Sequence, residues 1–142
     1  MASGIKANDH CFEVYNDIKR KRKYLYAIFK IVAADIVVDK TSDPGATFDD
    51  FFEDMKQRTE SGCYAVLDFS APGISGSHLV FTSWICDSLP VKTKMLYASS
   101  KDAFRRALDG IKFHIQASDL SEISLPSMTS AALVALNLHP IS

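Results

Sequence analysis

Apolar side chains recur at intervals of three and four residues in three parts of the chain, and this spacing predicts three amphipathic helices. These helices cover residues 8–19, 48–55 and 91–108. Asn8 or Asp9 and, later, Thr47 are suitable N-caps for the first two. Pro90 precedes the third and Gly110 follows it, as is typical of helix starts and ends. A fourth, mostly apolar helix is predicted over residues 126–136.

Short runs of β-branched and aromatic residues predict the strands of a sheet. The runs cover residues 24–32, 36–38, 64–69, 79–84 and 113–117. Strands interleaved with helices indicate a mixed sheet with helices on both faces. The predicted fold class is therefore α/β, with a single domain over residues 1–142 built on a mixed β-sheet of about five strands flanked by helices.

Composition and charge restrict the class of protein. Hydrophobic residues make up 47% of the chain and charged residues 23%, which is typical of a globular protein. The net charge of −1 argues against nucleic acid as a partner of the whole molecule. The chain shows no secretory signal and no apolar stretch of the ~20 residues that span a bilayer. Cys11, Cys63 and Cys86 form no CxxC pair and predict buried free thiols in a reducing, cytoplasmic compartment.

The predicted helix over residues 91–108 has two faces of different character. One is an apolar stripe expected to face the core: Tyr97, Ser100, Phe104, Ala107, Leu108 and Ile111. The opposite face carries Lys92, Met95, Ser99, Asp102 and Arg106. Met95 is either an isolated exposed apolar residue, which is common, or the centre of a protein-binding face. Spacing alone leaves both interpretations open.

Residues 90–110, PVKTKMLYASSKDAFRRALDG, resemble the signature helix of the actin-depolymerising factor (ADF)/cofilin family. The family form has Lys-Met, an aliphatic residue and then Tyr-Ala-Ser-Ser-Lys-Asp-Ala. Weaker matches keep the family order at residues 1–5, 12–19, 63–69 and 79–84, and the resemblance weakens after about Ser118. It implies the ADF-homology fold and a cytoskeletal protein that binds actin without catalysis.

In this family the signature helix inserts between actin subdomains 1 and 3, aided by the N-terminal residues. Carried over by position, the candidate actin contacts are Ser3, Gly4, Ile5, Lys92, Lys94, Met95, Ser99, Lys101, Asp102, Arg105 and Arg106. The resemblance also implies a preference for ADP-actin monomers, slower nucleotide exchange on them and faster depolymerisation of filaments. Ser3 matches the inhibitory phosphorylation position of many relatives, where a phosphate adds roughly −1.5 to −2 charge.

Cations on and near this helix are candidate ligands for phosphoinositide headgroups, in competition with actin. They are Lys92, Lys94, Arg105, Arg106 and Lys112. A separate basic run, Lys19-Arg20-Lys21-Arg22-Lys23, permits three interpretations. It is a solvated helix end, a nuclear-import signal, or the site of the alternative function, a polyanion-binding module for phosphoinositide or nucleic acid.

Catalytic and metal-binding patterns are absent from the sequence. His10, His78, His114 and His139 show no metal-ligand spacing and are expected at the surface. The chain contains neither a GxSxG nucleophile elbow nor a glycine-rich phosphate loop. We therefore expect a monomeric binding protein with no enzymatic activity, metal or cofactor.

Two segments depart from relatives that bind filaments strongly. Such relatives have basic residues before the strand at 79–84 and charged residues on the last helix. Here the first segment, residues 73–78, reads GISGSH, and residues 126–136 carry no charge. Loss of these charges predicts weak binding to the filament side and weak severing.

Overall fold

The computed structural model describes residues 4–137, which form a six-stranded sheet in the order β1-β3-β2-β4-β5-β6. The strands are β1 Lys6–Ala7, β2 Tyr26–Val32, β3 Asp35–Thr41, β4 Cys63–Phe69, β5 His78–Trp84 and β6 Phe113–Ala117. The outermost pairs, β1 with β3 and β5 with β6, are parallel, and the inner pairs are antiparallel. The sheet is mixed, as the sequence pattern predicts.

Four α-helices and one short 3-10 helix accompany the sheet. They are α1 Asp9–Lys19, α2 Phe48–Lys56, α3 Val91–Ala107 and α4 Leu125–Ala135, with the 3-10 turn at Leu120–Ile123. Asn8 caps α1, because its side chain accepts a hydrogen bond from the backbone N–H of Cys11 at 3.3 Å. Thr47 is the N-cap of α2, and its backbone N–H donates to the Asp50 carboxylate at 2.8 Å.

The helices cover both faces of the sheet and create two hydrophobic cores. Helices α1 and α3 pack on one face, over a core that includes Phe29, Tyr64 and Phe81 of the strands. Helices α2 and α4 pack on the other face, around Trp84 and its neighbours. This layered arrangement confirms the predicted fold class.

Three details differ from the sequence-based predictions. The sheet has six strands because β1, only two residues long, is too short to show a periodic pattern. Ala107 was expected in the core stripe of α3 but is exposed, since it lies at the edge of that stripe while Phe104 and Leu108 occupy its centre. The 3-10 turn before α4 was not predicted.

The interior contains the cysteines, and the lengths of the helices bear on whether the chain could span a membrane. All three cysteines are free and buried, as predicted. Residues 4–137 contain no helix with the length and apolar character of a membrane-spanning segment.

Candidate functional site

Helix α3 is anchored to the sheet by two aromatic side chains. The Tyr97 hydroxyl accepts a hydrogen bond from the backbone N–H of Ile31 at 3.0 Å, and the Tyr97 carbonyl accepts one from the Tyr64 hydroxyl. Two turns further along, the Phe104 ring lies 5.3 Å from that of Phe29 and 5.8 Å from that of Phe81. These contacts fix which face of α3 points to solvent.

The solvent face of α3 contains the residues that the spacing places there. Lys92, Met95, Ser99, Asp102 and Arg106 are all exposed. The side chain of Met95 is 66% exposed, and that of Val91, at the first position of the helix, is 71% exposed. The structure therefore presents an apolar strip at the start of α3, bordered by charged residues. The contribution of Val91 was not predicted from the sequence, although its position outside the core stripe would have indicated it.

Three further predicted contacts lie at the flanks of this face. Lys94, Lys101 and Arg105 are half-buried, so their charged groups border the exposed strip instead of projecting from its centre. Lys112, which follows α3, is exposed. Long cationic side chains commonly pack their aliphatic portion on the protein and keep the charge in water.

His114 belongs to β6, close to charged residues of α3, and it is less exposed than the predicted surface position. Its ring centroid is 5.8 Å from that of Phe81, and the residue is half-buried. Burial, together with the nearby cations of Lys101 and Arg105, lowers the pKa of His114 below its ordinary 6.5, although Asp102 opposes the change. His114 is therefore predominantly neutral at neutral pH.

The N-terminal candidates occupy different environments. Ser3 lies outside the described residues. Gly4 is exposed and has a φ of +70°, a conformation that favours glycine. Ile5 is only 7% exposed and belongs to the core between α1 and α3. Its side chain is therefore suited to holding the N-terminal segment beside α3.

The basic run is only partly free. The Lys19 ammonium donates to the backbone carbonyl of Asp109 at 2.8 Å, and Lys21 lies 3.7 Å from the Asp17 carboxylate. The ammonium of Lys23 lies 5.4 Å from the centre of the Tyr24 ring, while Arg20 and Arg22 are exposed. Lys19 thus connects the run to the end of α3, a contact that sequence spacing does not reveal.

The two segments that lack charge are at the surface. Residues 70–77 connect β4 to β5, and Ile74 anchors this connection in the core. The His78 ring nitrogen Nε2 lies 3.0 Å from the carbonyl oxygen of Ser75. Helix α4 exposes Val134, which is 83% accessible, and it contains no charged residue.

Acidic, histidine and cysteine side chains are the usual protein ligands of metal ions. Across residues 4–137, no three of them are grouped so that they could hold a metal ion.

Comparison with known proteins finds relatives that share the sequence and the fold over most of the chain. Actin-depolymerizing factor 12 of Arabidopsis thaliana is 42% identical over 136 residues, which cover 93% of this chain and 97% of that protein. Actophorin of Acanthamoeba castellanii is 36% identical over 135 residues, covering 92% and 96% respectively. The crystal structure of Streptomyces griseoflavus cofilin matches with a TM-score of 0.82 and 38% identity, covering 90% of this chain and 98% of that one.

The sequence profile of the cofilin and ADF family matches residues 4–132, which is most of the chain. That family is described as cofilin/tropomyosin-type actin-binding proteins. Together with the relatives above, this match confirms the resemblance carried by the signature helix: the chain belongs to the ADF/cofilin family of actin-binding proteins.

Proposed function

We propose that this protein binds actin monomers, preferentially in their ADP state, slows nucleotide exchange on them and promotes depolymerisation of filaments. The observation that carries the proposal is the exposed apolar strip of α3, with Met95 66% accessible among charged side chains. An adaptable methionine bordered by cations is typical of a protein-binding surface. The names of the relatives, actin-depolymerizing factor among them, support the choice of partner.

Binding alone accounts for both effects on actin. A protein that binds one state of actin more tightly than another shifts actin towards that state by the ratio of its two affinities. Preferential binding to ADP-actin therefore opposes nucleotide release and withdraws ADP subunits from filament ends. The proposed activity requires no catalytic step, metal or cofactor.

The direct test is nucleotide release from monomeric ADP-actin loaded with a fluorescent ADP analogue. We expect release to slow as the protein is added and to reach a plateau once the actin is saturated. The same titration repeated with ATP-actin measures the state preference. Release that is unaffected at micromolar protein would contradict the proposal.

Two regulatory inputs are proposed for the same face. A phosphate on Ser3 would bring negative charge to a surface bordered by Lys92 and Lys94. With Ser3→Glu present, actin is therefore expected to release its nucleotide as fast as actin alone does. With Ser3→Ala, release should be as slow as with the parent.

Phosphoinositide headgroups are expected to compete with actin for Lys92, Lys94, Arg105, Arg106 and Lys112. Vesicles containing phosphatidylinositol bisphosphate, sedimented with and without actin, test this competition.

The alternative function, a polyanion-binding module based on the basic run, has weaker support. Two of its five cations, Lys19 and Lys21, lie close to groups of the protein itself. Nuclear entry through the run stays a prediction. The proposed location is the cytoplasm, with the actin cytoskeleton. The protein is proposed to be a monomer that consists of one ADF-homology domain.

Weak binding to filaments is part of the proposal. The β4–β5 connection and α4 offer almost no charge to the acidic side of a filament, so most turnover is expected to proceed through monomers and filament ends.

A further inference from the structure

Helix α1 ends beside the turn that follows α3, and two of its side chains bind the same backbone oxygen there. The Tyr15 hydroxyl donates to the Asp109 carbonyl at 2.6 Å, and the Lys19 ammonium donates to it at 2.8 Å. Lys19 also lies 3.5 Å from the Asp109 carboxylate. Tyr15 is 3% exposed, so this is a specific contact at the border of the core.

Gly110 makes room for this arrangement. Its φ is +100°, and a Cβ atom placed on it would lie 2.9 Å from Cε and 3.0 Å from Nζ of Lys19. Such distances are shorter than van der Waals contact, so the aliphatic portion of Lys19 occupies the place of a side chain. Lys19 therefore packs against the turn as well as bonding to it.

The charge states of both groups suit the contact. Burial, with a contribution from the Asp109 carboxylate, raises the pKa of Tyr15 to about 12, so the hydroxyl remains a donor at neutral pH. The Lys19 ammonium lies near the carboxyl end of α3, where the helix dipole favours a positive charge.

We infer that Tyr15 and Lys19 form a clamp on the Asp109 carbonyl that sets the position of the carboxyl end of α3, and with it the placement of Arg105 and Arg106 against actin. The inference rests on the proposed function. Tyr97 anchors the middle of the helix and Phe104 packs its last turn on the sheet, while the clamp connects the turn beyond its last residues to α1. Tyr15 and Lys19 are thus positioning residues, and part of the basic run acts through α3.

A positioning role can be separated from a loss of surface charge. Tyr15→Phe removes one oxygen atom and changes no charge. Lys19→Met removes the ammonium but keeps the aliphatic portion. Lys21→Met is the matched control, because Lys21 belongs to the same run but its side chain is 75% exposed and does not contact the turn.

The experiment measures three quantities for the parent, the three single variants and the Tyr15→Phe/Lys19→Met double variant. These are affinity for ADP-actin monomers at low and high salt, melting temperature, and backbone amide NMR shifts of residues 91–111. The double variant is expected to bind actin about tenfold more weakly at both salt concentrations. The changes in its amide chemical shifts, relative to the parent, should extend from the turn to Arg105 and beyond. Lys21→Met should remain close to the parent in affinity and in chemical shifts.

Several results would overturn the clamp. One is an affinity for actin in the double variant equal to that of the parent. Another is an equal loss of affinity in Lys21→Met that disappears at high salt, because that pattern indicates an effect of charge alone. Changes in amide chemical shift that are confined to residues 108–111 would also contradict it, whatever the affinity for actin. If the double variant does not fold, Tyr15→Phe is judged by the same criteria. A parent protein that fails to bind actin would instead refute the proposed function.

Discussion

Met95 is the residue on which the proposed function depends most directly. Its side chain is 66% exposed on α3, and the anchors of this helix are Tyr97 and Phe104, on the opposite side. Truncating Met95 should therefore leave the fold intact while removing apolar contact from the centre of the interface. Residues at the centre of an interface carry a disproportionate share of its binding energy.

We expect Met95→Ala to lose about 1–2 kcal/mol of affinity for ADP-actin monomers, a roughly five- to thirtyfold increase in Kd, with no change in melting temperature. Val134→Ala is the matched control, because Val134 is an exposed apolar residue on α4, away from the face proposed to bind. Titration of labelled actin gives both affinities. Equal affinities for the two variants would remove Met95 from the proposed interface.

Individual residues also show where sequence reasoning reaches its limit. The spacing on α3 was sufficient to place Met95 in solvent, because a helix in contact with a sheet has only one buried side. Burial of Ile5 and His114 was not predicted, since each depends on a neighbour distant in the sequence. The same holds for Lys19, whose partner Asp109 lies 90 residues away.

At the scale of elements, local signals determined most of the fold. Asn8 and Thr47 begin α1 and α2 as their capping preferences predict, and β-branched runs mark five of the six strands. Strand β1 escaped prediction because its two residues are stabilised by pairing with β3, which is a tertiary interaction. The order of strands in the sheet also depends on such long-range pairing and could not be derived from periodicity.

The partly buried position of His114 on β6, near charged residues of α3, predicts a specific dependence of stability on pH. His114 has a pKa below its ordinary 6.5 in the folded protein, chiefly through burial and also through Lys101 and Arg105 of α3. As pH falls, His114 therefore binds a proton at a higher pH in the unfolded chain than in the folded protein. The stabilisation from neutral His114 is present above pH 6.5 and is lost as pH falls through the lower, folded pKa.

We expect the parent to lose more stability between about pH 7 and pH 5 than His114→Phe, which retains an aromatic ring beside Phe81 without a titrating group. His10→Gln is the control, because the His10 side chain is 64% exposed. Urea unfolding at several pH values measures the difference. If His114→Phe and the parent show parallel pH profiles, His114 is not the group responsible.

The whole molecule has an uneven distribution of charge that its net value conceals. The segments 4–23 and 91–112, which contain α1 and α3, carry twelve basic and five acidic side chains. The rest of the chain carries four basic and twelve acidic side chains. Since α1 and α3 cover one face of the sheet, the molecule is electrically polarised and will approach an acidic partner with this face first.

The same polarisation explains why the filament side should bind weakly. Helix α4 lies on the other face, together with acidic α2, and contributes no cation of its own. Adding a cation to α4 should create an attraction to the filament that the parent lacks, whereas a cation elsewhere on the same face should not. Val134 is suitable for this purpose because it is 83% exposed and lies near the carboxyl end of α4.

We expect the parent to co-sediment weakly with actin filaments and to sever them slowly, and Val134→Lys to raise filament affinity roughly threefold, as one exposed ion pair can. Gln57→Lys adds the same charge beside α2 and is expected to change nothing. Because exposed charges are screened by salt, the gain in filament affinity of Val134→Lys should diminish as ionic strength rises.

Imaging of labelled filaments at sub-micromolar protein measures severing in parallel. Rapid severing by the parent would mean that cations elsewhere, with the exposed Arg20 and Arg22 as the first candidates, supply the missing filament contact.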